Sequence, residues 1–304
     1  MQRVSVIIPH FNDLDRLRHC LDRLDGQTGG HTAYRVIVVD NNSRCGIDEV
    51  RRVVAGSGDV ILETEQGAGP ARSAGVAASD GEILAFIDSD CVPAADWIAK
   101  GVQRLDNADV VGGRVDVLPE KPGRLSATEA FEAVFAFDFE RYIVKKNFTG
   151  SGNMFVTRAV FDAVGGFRNE LAEDIDWSHR AVAAGYRLRY APDVVVGHPA
   201  RRNWAELASK WRRLTREGYL YGRSRGQSQA AWIMRSFVVL ASPLMHAWSA
   251  AVSSKLTSPV ERLKAIGILF AIRSYRFVEM WRVMLRDRSS AGPSGAPGKA
   301  EPSQ

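Results

Sequence analysis

Short apolar runs alternate with helix-like segments through residue 90, and this alternation limits the folds open to the chain. The runs lie at residues 4–9, 36–39, 60–62 and 83–87. Between the first two runs, leucines recur at the spacing of one helix face, at Leu14, Leu17, Leu21 and Leu24. Strands joined through helices make right-handed crossovers and pair in parallel. We therefore predict an α/β fold with a doubly wound, mostly parallel sheet.

Polar residues follow three of these runs, at residues 9–12, 40–43 and 88–90. Open α/β sheets bind their ligands outside the carboxyl ends of the strands, so these residues mark the predicted site. No G-x-G-x-x-G sequence follows the first run, and no G-x-x-x-x-G-K-[ST] sequence occurs. Rossmann-type dinucleotide binding and P-loop phosphate binding are therefore disfavoured.

Asp88 and Asp90 come directly after the fourth run. Residues i and i+2 of an extended chain project to the same side, so the two carboxylates should lie together. Two close carboxylates are costly unless a positive charge lies between them. A divalent cation that carries a phosphate ligand meets this need. The motif is short, and taken alone it describes a solvated turn equally well.

Two later segments carry possible site residues. Residues 149–153 form a glycine-rich loop before a further strand, and glycine permits close approach of a ligand to the backbone. Glu173, Asp174 and Asp176 begin a helix, where acidic residues serve either as caps and dipole partners or in function. Between these segments and the first runs, residues 125–142 have a helical pattern.

Charge is unevenly distributed along the chain. The formal net charge is +5, but residues 201–304 hold 18 Lys+Arg and 6 Asp+Glu, a net of +12, which leaves −7 for residues 1–200. This predicts an acidic, cation-binding body and a basic region that meets a polyanion or an anionic lipid surface. The three cysteines show no C-x-x-C spacing, which predicts reduced thiols rather than disulfides. No signal peptide precedes the first strand, so we expect the active part to face the cytosol.

Two apolar segments near the C-terminus allow two interpretations. Residues 236–254 carry no charge and approach the length of a membrane span, although Pro243, His246 and five serines weaken that assignment. Residues 263–285 mix apolar and aromatic residues with arginine, as in helices that lie in an anionic interface. Helices that cover the catalytic domain or form a dimer are the alternative. We favour peripheral membrane attachment, with a single span left open and residues 289–304 disordered.

Seven short motifs, taken in order, resemble the inverting family 2 glycosyltransferases of GT-A-type fold. They are Val-Ile-Ile-Pro-His-Phe-Asn (6–12), Val-Asp-Asn-Asn-Ser (39–43), Gly-Pro-Ala-Arg (69–72), Asp-Ser-Asp (88–90), Gly-Ser-Gly-Asn-Met (150–154), Gly-Gly-Phe (165–167) and Glu-Asp-Ile-Asp (173–176). The resemblance implies a catalytic domain at 1–225, with a nucleotide-sugar half at 1–118 and an acceptor half at 119–225. A helical, membrane-associating region at 226–288 and the tail at 289–304 would follow.

The resemblance also implies roles for single residues. Asp174 would be the catalytic base, Asp90 would bind Mg²⁺ or Mn²⁺, and His198 would add a ligand for that metal or for a phosphate. Asp88 would hold ribose or sugar hydroxyls. The other implied substrate-binding residues are Pro9 and Phe11 for the base, Asp40 and Asn41 for base or ribose, Arg72 for base or diphosphate, Gly152 and Asn153 in the glycine-rich loop, Glu173 for the acceptor, and Arg212 for a phosphate.

Two other functions compete with glycosyl transfer. A sugar-1-phosphate nucleotidyltransferase usually carries a glycine-rich loop after its first strand, where this chain has Pro9-His10-Phe11-Asn12. A non-catalytic sugar- or lipid-binding scaffold has no need of Asp88, Asp90 and Asp174 together. The expected partners are a nucleotide-sugar donor, a glycan or polyprenyl-linked acceptor and the cytoplasmic face of the membrane, with no nucleic acid. The sugar and the nucleotide base of the donor, and the oligomeric state of the protein, stay open.

Overall fold

One mixed sheet organises the molecule. The computed structural model describes residues 3–29, 33–121, 123–169 and 172–290, so the predicted tail from residue 291 onward lies outside the described residues. Within these ranges, the strands of the sheet run in the order β3-β2-β1-β4-β7-β6-β8-β5. Their bounds are β1 Val4–His10, β2 Tyr34–Asp40, β3 Asp59–Leu62, β4 Ile83–Ile87, β5 Val92–Pro93, β6 Val110–Leu118, β7 Asn153–Thr157 and β8 Leu188–Pro199.

Helices cover both faces of the sheet and extend beyond it. The first eight are α1 Leu14–Asp25, α2 Ile47–Val54, α3 Ala68–Ala77, α4 Trp97–Arg104, α5 Ala127–Phe135, α6 Phe139–Lys146, α7 Arg158–Val164 and α8 Glu173–Ala183. The last four are α9 Trp204–Ser224, α10 Gln229–Ala241, α11 Pro243–Ala251 and α12 Pro259–Ser290.

The prediction of a doubly wound, mostly parallel sheet is confirmed. Strand β1 pairs in parallel with β2 and β4, and β2 pairs in parallel with β3. Strand β7 is the main exception, since it runs antiparallel between β4 and β6. All five residues of β4 are buried, because separate apolar clusters cover its two faces. The strand that carries Asp88 and Asp90 at its end is therefore a central, rigid one.

Residues 125–142, where the sequence has a helical pattern, form two helices with a turn between them. Helix α5 ends at Phe135, and α6 begins at Phe139. Asp138 caps α6 by accepting a hydrogen bond from the Arg141 amide, and Phe137 lies in the left-handed region with a φ of 55°. A cap in the middle of a helical pattern divides it into two helices, which here turns the Phe137 ring toward His198, with 4.7 Å between the ring centroids.

The last three helices pack on the preceding part of the chain through α12, which contacts α5 and α9 as well as α10 and α11. Residues Gln229–Ala251 are long and apolar enough to cross a membrane by length and composition, and 22% of their most apolar window is buried. The stretch is interrupted between α10 and α11, where Pro243 begins the second helix. Its exposed side chains include Leu244, Met245 and Trp248, each more than 70% exposed. The C-terminal helices thus pack against α5 and α9 and also present an apolar face.

Candidate active site

Asp88 and Asp90 lie together at the carboxyl end of β4. Their carboxylate oxygens and the Cys91 Sγ atom are within 4.8 Å of one another. Gly152 makes room for this arrangement, because a Cβ atom at that position would lie 2.6 Å from Asp88 Oδ2. The glycine-rich loop therefore packs directly on the acidic pair, as close approach of backbone to a side chain requires.

A buried arginine connects the acidic pair to α8. The Arg72 Nη2 atom lies 2.5 Å from Asp88 Oδ1, and its Nη1 atom lies 3.2 Å from Glu173 Oε1. Burial alone would lower the pKa of Arg72, but the Asp88 and Glu173 carboxylates raise it above its ordinary value. The guanidinium therefore stays charged and holds the first turn of α8 against the end of β4.

Asp174 follows Glu173 in that first turn and is half-buried. Burial and the Glu173 carboxylate raise the pKa of Asp174 to about 7, although the Arg72 charge acts in the opposite direction. Gly150 borders the carboxylate, since a Cβ atom there would lie 3.6 Å from Asp174 Oδ2. A carboxylate whose pKa lies near neutrality is suited to accept and release a proton.

Asp90 pairs with His198, whose Nε2 atom lies 3.2 Å from Asp90 Oδ2. The other ring nitrogen, Nδ1, is 2.7 Å from the Pro199 carbonyl oxygen and must donate to it. The Nε2 atom is therefore the ring nitrogen that is left to face Asp90. Burial would raise the pKa of Asp90, but His198 and Arg201 outweigh it and lower that pKa to about 2.

This set of side chains fits a divalent cation. Carboxylate oxygens are the ligands that Mg²⁺ and Mn²⁺ prefer, and an imidazole with a free lone pair can join them. The buried Cys91 is excluded as a ligand of such a hard ion, because burial raises the pKa of its thiol and keeps it protonated. The residues predicted to bind metal, Asp90 and His198, are thus brought together.

A cationic cleft of about 380 Å³ opens beside Asp90 and His198. Its basic lining comes from four side chains on separate parts of the chain, which are Arg16, Arg201, Lys210 and Arg213. The sequence prediction missed Arg16, Arg201 and Lys210. A signal was present for the last two, since both lie in the basic region that begins at residue 201.

Glu132 on α5 organises two of these cations and was not predicted from the sequence. It is fully buried, its Oε1 atom lies 2.8 Å from Lys210 Nζ, and its Oε2 atom accepts the Arg201 amide at 2.7 Å. Burial and Arg201 lower the pKa of Lys210 to about 8, although Glu132 acts in the opposite direction. The Lys210 ammonium also lies 4.6 Å from the centroid of the Phe137 ring. Phe137, in the turn between α5 and α6, therefore packs against a cation that lines the cleft.

The predicted base-binding residues divide into exposed and buried ones. Phe11 is 48% exposed, and Pro9 lies just before it at the end of β1. Asp40 is buried: its Oδ1 atom accepts a hydrogen bond from the Ser43 hydroxyl at 2.5 Å and lies 3.1 Å from His10 Nδ1. Phe11 is consequently placed to meet a ligand, whereas Asp40 holds the loop after β2.

Asn41 and Asn153 use their side-chain amides within the protein. Asn41 donates to the carbonyls of Glu63 and Glu65 and accepts from the Gly67 amide. Asn153 donates to two carbonyls across the bulge in β6–β8 pairing and accepts from the Trp97 indole at 2.9 Å. Both residues thereby shape the loops that surround the site.

Arg212 lies apart from the cleft. It is exposed, and its Nε atom donates to the Tyr275 hydroxyl of α12 at 3.1 Å. The neighbouring Arg213 lines the cleft and pairs with Glu217 at 3.1 Å. One step along a helix turns a side chain by about 100°, which separates the two arginines onto different faces.

Solved structures share this fold. The mannosyltransferase PcManGT of Pyrobaculum calidifontis, in complex with GDP-Man and Mn²⁺, superposes with a TM-score of 0.58 at 21% identity and covers 95% of this chain and 88% of its own. TarS of S. aureus, residues 1–349 in complex with UDP-GlcNAc, gives a TM-score of 0.50 at 17% identity, covering 95% of this chain and 92% of its own. The sheet and its flanking helices therefore have the GT-A fold.

Sequence comparison identifies the family. The glycosyltransferase AglE of Haloferax volcanii is 37% identical over 215 residues, which are 68% of this chain and 70% of that protein. The pre-mycofactocin glycosyltransferase of Mycobacterium tuberculosis is 30% identical over 214 residues, 66% of this chain but only 44% of its own length. The family model described as Glycosyl transferase family 2 matches residues 5–165. The chain belongs to glycosyl transferase family 2 and is a glycosyltransferase.

Proposed function

We propose that the protein transfers a sugar, with inversion and in a metal-dependent reaction, from a nucleotide-sugar to a hydroxyl of a glycan or lipid-linked acceptor. One observation carries the proposal: Arg72 joins Asp88, at the proposed donor end of the site, to the first turn of α8, which holds Asp174. One buried guanidinium thereby links the residue proposed to hold the donor to the helix that carries the proposed base.

The donor would lie along the carboxyl edge of the sheet. The exposed Phe11 offers a ring to the base, and Arg201, Lys210 and Arg213 line a cleft whose positive charge suits a diphosphate. Mg²⁺ or Mn²⁺ on Asp90 and His198 would neutralise the charge that develops on the leaving diphosphate. Among the arginines of α9, Arg213 is better placed for this role than the predicted Arg212.

The acceptor would approach from the side of Asp174. Its attacking hydroxyl gives its proton to the Asp174 carboxylate while the oxygen forms a bond to the anomeric carbon. The bond between that carbon and the diphosphate oxygen breaks, and its electrons leave with the nucleotide. Because the two oxygens occupy opposite faces of the sugar, a single displacement inverts the configuration. Glu173 pairs with Arg72 and holds the helix in place.

The apolar face of α10 and α11 supports attachment to a membrane surface, and we propose the cytoplasmic face. Leu244, Met245 and Trp248 expose between 72% and 79% of their surface. An exposed apolar patch of this kind marks an interaction surface, and a basic C-terminal region favours an anionic lipid one. The break before Pro243 favours peripheral attachment over a span.

A donor screen tests the proposed function. The full chain is incubated with a panel of UDP- and GDP-sugars, with Mn²⁺, with Mg²⁺ or with EDTA, and nucleotide release is measured. We expect release from one donor class only, dependent on metal and lost in EDTA. With the identified donor and an acceptor, NMR should show the inverted anomer. Transfer that is unaffected by EDTA, or a retained anomer, would contradict the proposal.

A further inference from the structure

A second group of cations lies away from the donor cleft, between α6, α10 and α12. Its members are Lys146, Arg235, Arg273 and Arg276. Within the described part of the chain, no carboxylate lies within ion-pair distance of any of the four. Elsewhere in the same region, surface arginines such as Arg282 have an acidic partner. We name these four residues the unpaired basic cluster.

Buried donors without acceptors accompany the unpaired basic cluster. The Nε atoms of Arg273 and Arg276 are buried and have no hydrogen-bond partner in the protein, and the same is true of the Trp211 indole nitrogen. The three groups are neighbours, since the Arg276 guanidinium lies 4.1 Å and that of Arg273 lies 5.8 Å from the centroid of the Trp211 ring. Buried polar groups are nearly always satisfied, so this group of donors indicates an acceptor that a ligand supplies.

The electrostatic cost of the cluster leads to the same conclusion. Burial and the charge of Arg273 lower the pKa of Arg276 to about 9, and burial together with neighbouring arginines lowers that of Lys146. Like charges held together without counter-ions destabilise a fold, and truncation to neutral residues would relieve the cost. A bound anion with several oxygen acceptors would offset both the repulsion and the unmet hydrogen bonds.

The cluster is connected to the proposed base through α6. At the start of this helix, Phe139 contacts the backbone of Gly150, which itself borders Asp174. At its end, Lys146 belongs to the cluster, and the Lys146 carbonyl lies 2.9 Å from His179 Nε2 of α8. The eight residues from Phe139 to Lys146 span about 10 Å. A molecule could therefore reach from the cluster to Asp174 along one short helix.

The cluster is also continuous with the exposed apolar face. Helix α10 carries Arg235 on the cluster and, one turn further along the same side, Val238, which is 62% exposed. Leu244 and Trp248 continue this face on α11. A ligand held here can thus place an anionic group among the arginines and an apolar chain along α10 and α11.

We propose that the unpaired basic cluster binds the phosphate of a lipid-linked acceptor. The apolar tail of the lipid lies along the face of α10 and α11, and the attached glycan extends along α6 to place its hydroxyl at Asp174. The inference rests on the proposed function, because it names the acceptor class of that same site. The half-buried position of the arginines between helices favours one inserted phosphate over the diffuse charge of a bilayer surface.

Vesicle binding without nucleotide-sugar tests this inference on the full chain. Three vesicles are compared: neutral phosphatidylcholine, phosphatidylcholine with a polyprenyl phosphate, and phosphatidylcholine with phosphatidylglycerol at matched surface charge. The variants are Arg276→Gln, Arg273→Gln and the charge-conserving Arg276→Lys. Lys255→Gln is the matched control, because Lys255 is an exposed cation just beyond α11 and outside the cluster.

We expect the wild-type protein to prefer polyprenyl phosphate over phosphatidylglycerol at least tenfold. Arg276→Gln and Arg273→Gln should lose this preference, Arg276→Lys should keep part of it, and Lys255→Gln should weaken binding to both anionic vesicles equally. Thermal unfolding without lipid should show that Arg276→Gln does not lower Tm, since the replaced charge has no carboxylate partner and is repelled by its neighbours. Equal wild-type affinity for the two anionic vesicles, or an unchanged preference in Arg276→Gln, would overturn the inference.

The inference can fail separately from the proposed function. Donor hydrolysis by the wild-type protein needs no lipid, so metal-dependent hydrolysis without a preference for polyprenyl phosphate rejects the phosphate site alone. A lipid preference that depends on Arg273 and Arg276, together with no hydrolysis of any nucleotide-sugar, rejects the proposed reaction and leaves the phosphate site standing.

Discussion

At the scale of single residues, the site is built from carboxylates in different environments. Asp90 lies against His198 and Arg201, which hold its pKa at about 2, whereas Asp174 lies beside Glu173 and has a pKa of about 7. When the pKa values of two carboxylates are shifted in opposite directions, the two side chains suit different chemical roles. Asp90 stays ionised and suits a metal ion, and Asp174 can exchange a proton near neutral pH.

Asp174→Asn should reduce transfer by roughly 10²- to 10⁴-fold, the usual contribution of a general base. The amide keeps the shape of the carboxylate but cannot accept the hydroxyl proton. Steady-state kinetics and calorimetry of metal-dependent donor binding would check this, and donor affinity should be unchanged. Asp162→Asn, on the exposed side of α7, is the matched control. Normal turnover by Asp174→Asn would remove this residue from the role of base.

The raised pKa of Asp174 also predicts a pH profile. The base must be ionised, so kcat/KM should rise about tenfold per pH unit below pH 7 and level off above it. Stability should change in the opposite direction. The folded state keeps a proton that the unfolded chain releases above its ordinary pKa near 4, so this group costs stability increasingly from about pH 4 to about pH 7.

Asp174→Asn removes that cost, which gives the prediction a readout independent of activity. The Tm of the variant relative to wild type should increase between pH 4 and pH 7 and stay constant above, by a few degrees. A difference in Tm that does not depend on pH would show that the pKa of Asp174 is unshifted.

At the scale of elements, α9 joins the parts of the site. Its Lys210 and Arg213 line the cationic cleft, its Glu217 pairs with Arg213, and its Tyr221 lies 2.6 Å from His179 of α8. The sequence indicated a basic helix here, but it did not separate the arginines that face the cleft from those that face α12. Contacts with α12 decide this, because they determine the rotation of α9.

Arg213→Ala should therefore weaken donor binding by roughly 10- to 100-fold, the value of charge-assisted hydrogen bonds to a phosphate. Arg212→Ala removes the same charge one position away and is the matched control, with an expected change of less than about twofold. Titration calorimetry with the preferred nucleotide-sugar and metal measures both variants. If Arg212→Ala has the larger effect, the original prediction for Arg212 is correct and the cleft assignment is wrong.

The α10–α11 pair gives a second prediction at this scale. Leu244→Ser with Trp248→Ser should reduce partitioning into anionic liposomes by roughly 100-fold or more, since burial of each large apolar side chain contributes about 1.5–3 kcal/mol. Leu62→Ser is the control, because Leu62 is 47% exposed but lies on β3 at the far edge of the sheet. Sedimentation with liposomes at low salt measures the effect. A protein that stays in the supernatant without either substitution would refute membrane attachment.

At the scale of the whole molecule, Arg72 connects the two predicted halves of the catalytic part. Residues 1–118 contribute Asp88, and residues 119–225 contribute Glu173, to one buried guanidinium. The side chain of Arg72 is 5% exposed, so its pairs are screened less than a surface pair would be.

Arg72→Met should lower the free energy of unfolding by about 2 kcal/mol or more, because it leaves two nearby carboxylates without their counter-charge. Arg3→Met breaks the exposed pair between Arg3 and Asp80 and should cost less than about 1 kcal/mol. Urea denaturation at neutral pH measures both. Equal effects would indicate that the Arg72 bridge contributes no more than a surface ion pair.

Much of the fold and part of the site follow from short-range patterns. Strand and helix alternation, the Asp-x-Asp motif after β4 and the acidic start of α8 are local features, so the sequence alone predicted the sheet and placed Asp88, Asp90 and Asp174 correctly on their elements. The family resemblance also brought Asp90 and His198 into one prediction, and the structure places them 3.2 Å apart.

Tertiary structure decided which polar groups are satisfied by the protein and which are left for ligands. Asn41 and Asn153 belong to motifs of the site, but their side-chain amides donate hydrogen bonds to loop carbonyls. In contrast, Arg273, Arg276 and Trp211 have buried donors without acceptors in the protein. The physical reason is that hydrogen bonds and ion pairs of buried groups depend on segments far apart in the chain. Local pattern determines where a side chain sits on its element, and only packing determines what it meets.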